Sequence, residues 1–241
     1  MHEGAAYLFK IGPLEVTSEI TTMWIVMAVL LILCFVGTRN MKRIPSGLQN
    51  VLEMGIEMYE NFWTDILGRK RTRQLMPFLA SFFILILLSN YIGLLPGSVE
   101  YAEAWGFQEW MGISWLKAPT SNVSTTAGLA IIVFFLVLYY NLKVQGPVGY
   151  IKHLIGPVPF MAPLMMPLNI LEQFTRPLSL ALRLYGSIYG EEMVVASLAA
   201  LCPLLLPIAM QVLGILFGAI QAFVFTLLAS IYLEEATAVH H

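Results

Sequence analysis

Apolar residues fall along this chain in blocks long enough to cross a lipid bilayer. The hydrocarbon core of a membrane is about 30 Å thick, which takes about 17–25 residues of helix. Five stretches fit that requirement: residues 21–37, 75–95, 124–140, 165–202 and 208–233. Turn residues separate them. Pro119 and the polar run Thr120–Thr126 open the third, where they are placed to cap a helix or line a wet entrance. Gly146, Pro147, Gly156, Pro157, Pro159 and Pro163 mark a linker over 141–163, and Pro203 and Pro207 mark a turn before the last block.

Residues 45–68 follow a different pattern. Leu48, Val51, Leu52, Ile56, Tyr59, Phe62, Trp63 and Ile66 recur at helical spacing, with Glu53, Glu57, Glu60 and Asp65 between them. One apolar stripe and one acidic face predict a helix lying in the membrane surface. The predicted fold is an all-α integral membrane protein, with five crossing segments and one amphipathic interfacial helix. Together they form a single polytopic domain over 1–241. Residues 1–20 read as a polar, mildly acidic tail with Glu3, Glu15 and Glu19, without the pattern of a cleaved signal.

Composition agrees with this reading. The chain is 58% hydrophobic and 12% charged, against about 25% charged in soluble domains. With a net charge of −2 and no basic tract, no nucleic-acid partner is expected. Cys34 and Cys202 lie in separate apolar blocks and form no metal motif, so neither a metal nor a cofactor is expected. Lys and Arg are unevenly spread, and that sets orientation. Arg39, Lys42, Arg43, Arg69, Lys70, Arg71 and Arg73 lie between the first two crossings, and Lys143 and Lys152 between the third and fourth. The segments on the other side hold only Lys10 and Lys117, together with Trp105, Trp110 and Trp115 at the expected headgroup level. Basic loops stay inside, so five crossings put the N-terminus outside and the C-terminus inside.

The fourth block carries the chemistry. It would be about 55 Å long as one helix, more than a crossing needs, with Pro167 and Pro177 placed to interrupt it locally. A strong tilt, or first turns laid along the interface, would absorb the excess. The block also holds Arg176, Arg183, Glu191 and Glu192. A charge at mid-bilayer costs about 2.5–3.5 kcal/mol on insertion scales, and charges kept there usually handle ions. Arg176 comes early enough to snorkel or to pair structurally, whereas apolar turns flank Arg183 on both sides. On the last block Gly214, Gly218 and Ala222 repeat every four residues and permit close approach of another helix. Gln221 lies beside that strip, about level with Arg183, where it would bond the arginine or channel water.

The segment PLSLALRLYGSIYGEE (Pro177–Glu192) resembles the signature helix of subunit a of F-type ATP synthases, the membrane-embedded stator subunit. SNYIGLLPG (Ser89–Gly97), PTSNVSTTAGLA (Pro119–Ala130) and GAIQAFVFTLLASIYL (Gly218–Leu233) resemble further motifs of that family, in its order. The resemblance implies two half-channels for H⁺ or Na⁺, leading to and from a rotating c-ring, with Arg183 as the barrier between them. It implies a bacterial cytoplasmic membrane, with the c-ring, peripheral-stalk b subunits and lipid as partners, and no catalysis by this chain alone. The residues it points to are Arg183, Glu192, Glu191, Gln221, Ser187, Asn122 and Asn90. The family pattern makes Glu192 the outer relay, while helical geometry brings Glu191 nearer to the arginine's face. Four positions depart from the pattern: Ser187 stands where asparagine is common, Glu191 where glycine or aspartate is, Gly214 where some members hold a histidine or acid, and Asn122 where many hold aspartate. These departures predict an outer relay shifted onto the long helix.

Two other readings compete. A stand-alone secondary transporter would show internal repeats with paired broken helices, and no second copy of the charged helix exists. A membrane hydrolase would need a nucleophile–base pair or metal ligands at one depth. His2, His153, His240 and His241 all fall outside the apolar blocks, and HExxH and GxSxG are absent.

Overall fold

The computed structural model describes residues 7–11, 14–39, 47–95, 116–155, 162–202 and 205–237. Within them the chain forms helices α1 (Ser18–Arg39), α2 (Leu48–Leu67), α3 (Arg69–Gly93), α4 (Val123–Ile155), α5 (Ala162–Leu201) and α6 (Leu205–Thr237). A single 3₁₀ turn, Pro119–Ser121, precedes α4. The all-α membrane architecture is as expected. Four helical stretches are long and apolar enough to cross a membrane: Ser18–Arg39, Arg69–Gly93, Val123–Pro147 and Leu205–Ala236. The fifth expected crossing, α5, is not among them, because its charges lower its hydropathy.

Three local features differ from the sequence reading. Part of the N-terminal tail is a hairpin, in which β1 (Tyr7–Ile11) pairs antiparallel with β2 (Leu14–Thr17) and Ile11 faces Leu14 in register. Alternation at Tyr7, Phe9 and Ile11 was the available strand signal. The linker over 141–163 is largely helical, since α4 runs on to Ile155 and breaks only at Gly146, with φ 69°. Glycine tolerates that left-handed φ, and Pro147 restarts a helix because its ring presets φ for a first turn. Pro167 and Pro177 leave α5 unbroken over 40 residues, about 60 Å at 1.5 Å per residue. Packed neighbours and local adjustment make proline tolerable inside membrane helices. The tryptophan-bearing part of the loop before Lys117 lies outside the described residues, as do His153's side chain and the C-terminal His240 and His241.

Helices α3, α4, α5 and α6 share one apolar core. Ile86 of α3, Val133 of α4, Leu180 and Leu184 of α5, and Ala222 and Phe225 of α6 meet in it. A second cluster seats the amphipathic helix α2. Trp63 is 0% exposed and packs with Leu67, Leu75, Leu79, Tyr140 and Leu233, while Met54, Ile56 and Met58 point outward. The α2–α3 corner is sharp because Gly68 takes φ 77°. Thr72 Oγ1 ties the corner by donating to Trp63 O and Gly68 O, both at 3.0 Å. Helix α1 stays mostly outside this packing, with Leu31, Ile32 and Phe35 exposed. Its N-terminal end is fastened by Glu19, whose carboxylate lies 3.5 Å from Lys117 Nζ.

Candidate functional site

Spacing on α5 divides the helix into two faces. Leu180, Leu184, Ile188 and Val195 recur every three to four residues or two turns and are buried against the other helices. Arg183 sits about 100° round from Leu184, and it is exposed. Among the described residues Arg183 makes no hydrogen bond and no ion pair. Ser179, Leu182, Gly186 and Ser187 around it are exposed as well. A Cβ added at Gly186 or Gly190 would meet no atom within 4 Å, so nothing in this chain requires glycine there. Ser187 Oγ is engaged locally, donating to Leu184 O at 3.0 Å.

Arg176 contrasts with it on the same helix. Its guanidinium bonds Glu172 Oε1 at 2.6 Å and both carboxylate oxygens of Glu235, and it stacks 5.2 Å from the centre of the Tyr232 ring. Of the two arginines, Arg176 takes the structural role and Arg183 is left available.

Further along α5 the helix rotates its carboxylates inward. Glu191 and Glu192 line a cavity of about 20 Å³ together with Asn90, Gly93, Leu94, Ala118, Gly214 and Gly218. That volume suffices for a water molecule when polar partners are present. Asn90 is 3% exposed and fixed from both sides. Its Nδ2 donates to Gly218 O at 3.1 Å, and its Oδ1 accepts from Thr120 Oγ1 at 2.7 Å. Glu191 Oε1 is buried without a hydrogen-bond partner among the described residues, an arrangement that a bound water or a moving proton would satisfy. The cavity exists because small residues make room. A Cβ at Gly214 would overlap Glu191 Oε1, one at Gly218 would come to 3.2 Å from Asn90 Cβ, and one at Gly93 to 2.6 Å from Ala118 Cβ.

The remaining sequence candidates fall elsewhere. Asn122 precedes α4 and accepts from the Ser124 backbone N–H at 2.8 Å, a helix-capping contact, and it does not line the cavity. Gln221 is 9% exposed, and its Nε2 has no hydrogen-bond partner among the described residues. The structure forms no hydrogen bond between Gln221 and Arg183. Two residues not singled out individually from the sequence matter here. Thr120 orients Asn90, and Gln211 Nε2 donates to Leu94 O at the cavity's edge. Gln211 lies two turns and three residues before Gln221 with no motif of its own, so only the fold reveals it.

Arg183 and Glu191 stand eight residues apart, about 12 Å along the helix axis. Around the helix they are about 80° apart, with Ser187 about midway between them. An exposed guanidinium and a carboxylate-lined cavity thus lie at different heights along α5. Among the described residues no group of three or more His, Cys, Asp or Glu is placed to hold a metal.

Comparison with known proteins decides the assignment. The sequence profile of the ATP synthase A chain family matches residues 20–234. This chain belongs to that family. ATP synthase subunit a of Moorella thermoacetica is 38% identical, over 97% of this chain and 97% of its own. ATP synthase subunit a of Gloeobacter violaceus is 37% identical, over 98% of this chain and 91% of its own. That of Trichlorobacter lovleyi is 38% identical, over 90% of this chain and 86% of its own. As an ATP synthase A chain, the protein serves ATP synthesis through ion transport in the membrane sector, and the stand-alone transporter reading is not favoured.

Proposed function

We propose that this chain forms two half-channels for H⁺ or Na⁺ that reach a c-ring from opposite sides of the membrane, with Arg183 as the barrier between them. The carrying observation is Arg183 itself, an exposed guanidinium without a partner among the described residues. The open positions at Gly186 and Gly190 beside it allow close approach of another helix. A fixed cation repels passing cations and favours the ionised form of a carboxylate brought up to it. Arginine holds its proton where lysine would lose it.

The outer half-channel is assigned to the cavity of Asn90, Glu191 and Glu192, with Glu192 as relay, Glu191 beside it and Ser187 leading toward the arginine. Gln221 serves channel water near the arginine's level, and Asn122 sets the outer rim by capping α4. Helix α5 is assigned as the fifth crossing. Its length of about 60 Å against about 30 Å of hydrocarbon supports a strong tilt. The placement of Lys and Arg supports an outside N-terminus and an inside C-terminus. Membership of the ATP synthase A chain family supports assembly in an ATP synthase complex, and to that complex we assign the c-ring, the peripheral-stalk b subunits and a bacterial cytoplasmic membrane.

Cysteine cross-linking tests the docking face. Gly186→Cys and Gly190→Cys should each cross-link to cysteines placed along the ring's outer helix in the intact complex, whereas Ile188→Cys, on the buried face, should not. Failure of both glycine positions to reach the ring would remove this face from the proposal.

A further inference from the structure

Arg176 lies seven residues before Arg183. That places it about 10 Å inward along α5 and within roughly 20° of the same face. Its contacts are unusually directional for a charge near a helix surface. Nη1 lies 2.7 Å from Glu235 Oε2 and Nη2 lies 2.9 Å from Glu235 Oε1, so the pair is two-pronged. Nη2 also reaches Glu172 Oε1 at 2.6 Å, and the Tyr232 ring backs the guanidinium at 5.2 Å. Two parallel N–H···O bonds fix both distance and orientation, which a single charge contact does not.

The partners belong to different elements, and that gives the contact its leverage. Glu235 and Tyr232 are on α6, Glu172 is on α5, and the next residue on α5, Gln173, accepts a hydrogen bond from Tyr150 Oη of α4. The guanidinium therefore sets the height and rotation of α5 against α6, two turns from Arg183. Beyond Arg183 the same helix packs through Leu184, Ile188 and Val195. Apolar contacts of that kind slide and rotate more readily than a two-pronged ion pair. A slip of one helical turn, about 5.4 Å, would break every Arg176 contact while leaving hydrophobic packing to re-form in a new register.

We propose that Arg176 is a positioning residue for ion translocation, whose grip on Glu235 holds Arg183 at a fixed height and azimuth against the moving ring. The proposal rests on the reading of Arg183 as the barrier. A barrier that rotated or slid with each passing carboxylate would let ions through without useful work, so the clamp acts on coupling before it acts on folding.

The test uses the intact ATP synthase in its membrane, with ATP-driven ion pumping and ATP hydrolysis measured together at equal complex content. Arg176→Gln and Glu235→Gln should each lower the ions pumped per ATP hydrolysed by about threefold or more, as expected when a two-pronged charged contact is lost. The exchange Arg176→Glu with Glu235→Arg restores an ion pair between the same helices and keeps Glu172 within its reach. It should return coupling to within about twofold of the parent. Arg176→Lys keeps the charge but not the fork, and should assemble with intermediate coupling, which covers the case in which the glutamine variants fail to assemble. Parental coupling in Arg176→Gln or Arg176→Lys overturns the proposal, as does an exchange no better than the single changes. Arg183→Ala in the same membranes separates the two readings. If it still pumps, the barrier assignment fails; if it is inactive while Arg176→Gln matches the parent, only the clamp fails.

Discussion

Gly214 of α6 faces Glu191 of α5 so closely that a single added carbon at residue 214 would overlap the carboxylate oxygen. The absence of a side chain on one helix is what admits an acid from the other. A side chain at 214 and the Glu191 carboxylate in its present position exclude one another.

Gly214→Ala should therefore push the Glu191 carboxylate out of the cavity. Overpacking of this kind costs about 1–3 kcal/mol, and coupled transport should fall severalfold while the complex still assembles. Gly214→Ala combined with Glu191→Gly should recover part of the loss, because the clash is gone and Glu192 remains. Pumping rates in the two variants at equal complex content check this, and equal rates in both would show that Gly214 serves packing alone.

Arg183→Ala should abolish ATP synthesis and ATP-driven pumping, with a loss of at least about 10²-fold, the scale on which removing a preorganised charge stabiliser acts. Passive ion conductance through the membrane sector should persist or rise. Arg183→Lys should fail in coupling too, because an ammonium at this depth can shed its proton. Proton flux in stripped vesicles, read beside synthesis, distinguishes a lost barrier from a lost complex.

Glu192→Gln should slow coupled transport roughly tenfold or more, Glu191→Gln less, and the double change more than either. The loss should appear as slower ion access from outside at undiminished assembly. A double variant with parental rates would move the outer route away from this cavity, toward Asn122 and the rim of α4.

Topology offers the broadest check. A cysteine near Met1 or at Ser98 should react with an impermeant thiol reagent applied from outside, and one at Arg71 or Thr237 only from inside. The reverse pattern would invert both half-channel assignments.

Much of the fold was readable in the chain because membrane insertion demands long, simple signals. The blocks that became α1, α3, α4 and α6 each announce themselves by twenty or so apolar residues, and the stripe of α2 by its period. The hairpin at Tyr7–Thr17 and the helical run past Tyr140 were harder, since both depend on local pairing or on one glycine torsion at Gly146. The site divided in the same way. Arg183, Glu191 and Glu192 stand out because charge is rare in apolar sequence, and Asn90 because its motif is recognisable. Partner choice was not readable. Nothing in the order of residues says that Arg176 would grip Glu235, that Asn90 would bridge Thr120 and Gly218, or that Asn122 would turn to its own helix. Those outcomes depend on how helices distant in sequence are rotated against each other.

That Arg183 has no partner among the described residues also bears on what it means to call this chain stable. A guanidinium held within a bilayer is solvated by snorkelling, local thinning of the bilayer or intruding water when no counter-charge is near. Each of those burdens is lifted when an acidic neighbour docks. Folding free energy and assembly free energy are then linked by mass action, as for any state that a ligand stabilises. A melting temperature measured on the isolated chain would describe a different thermodynamic species from the one that works, and it should rise with the concentration of whatever supplies the missing negative charge.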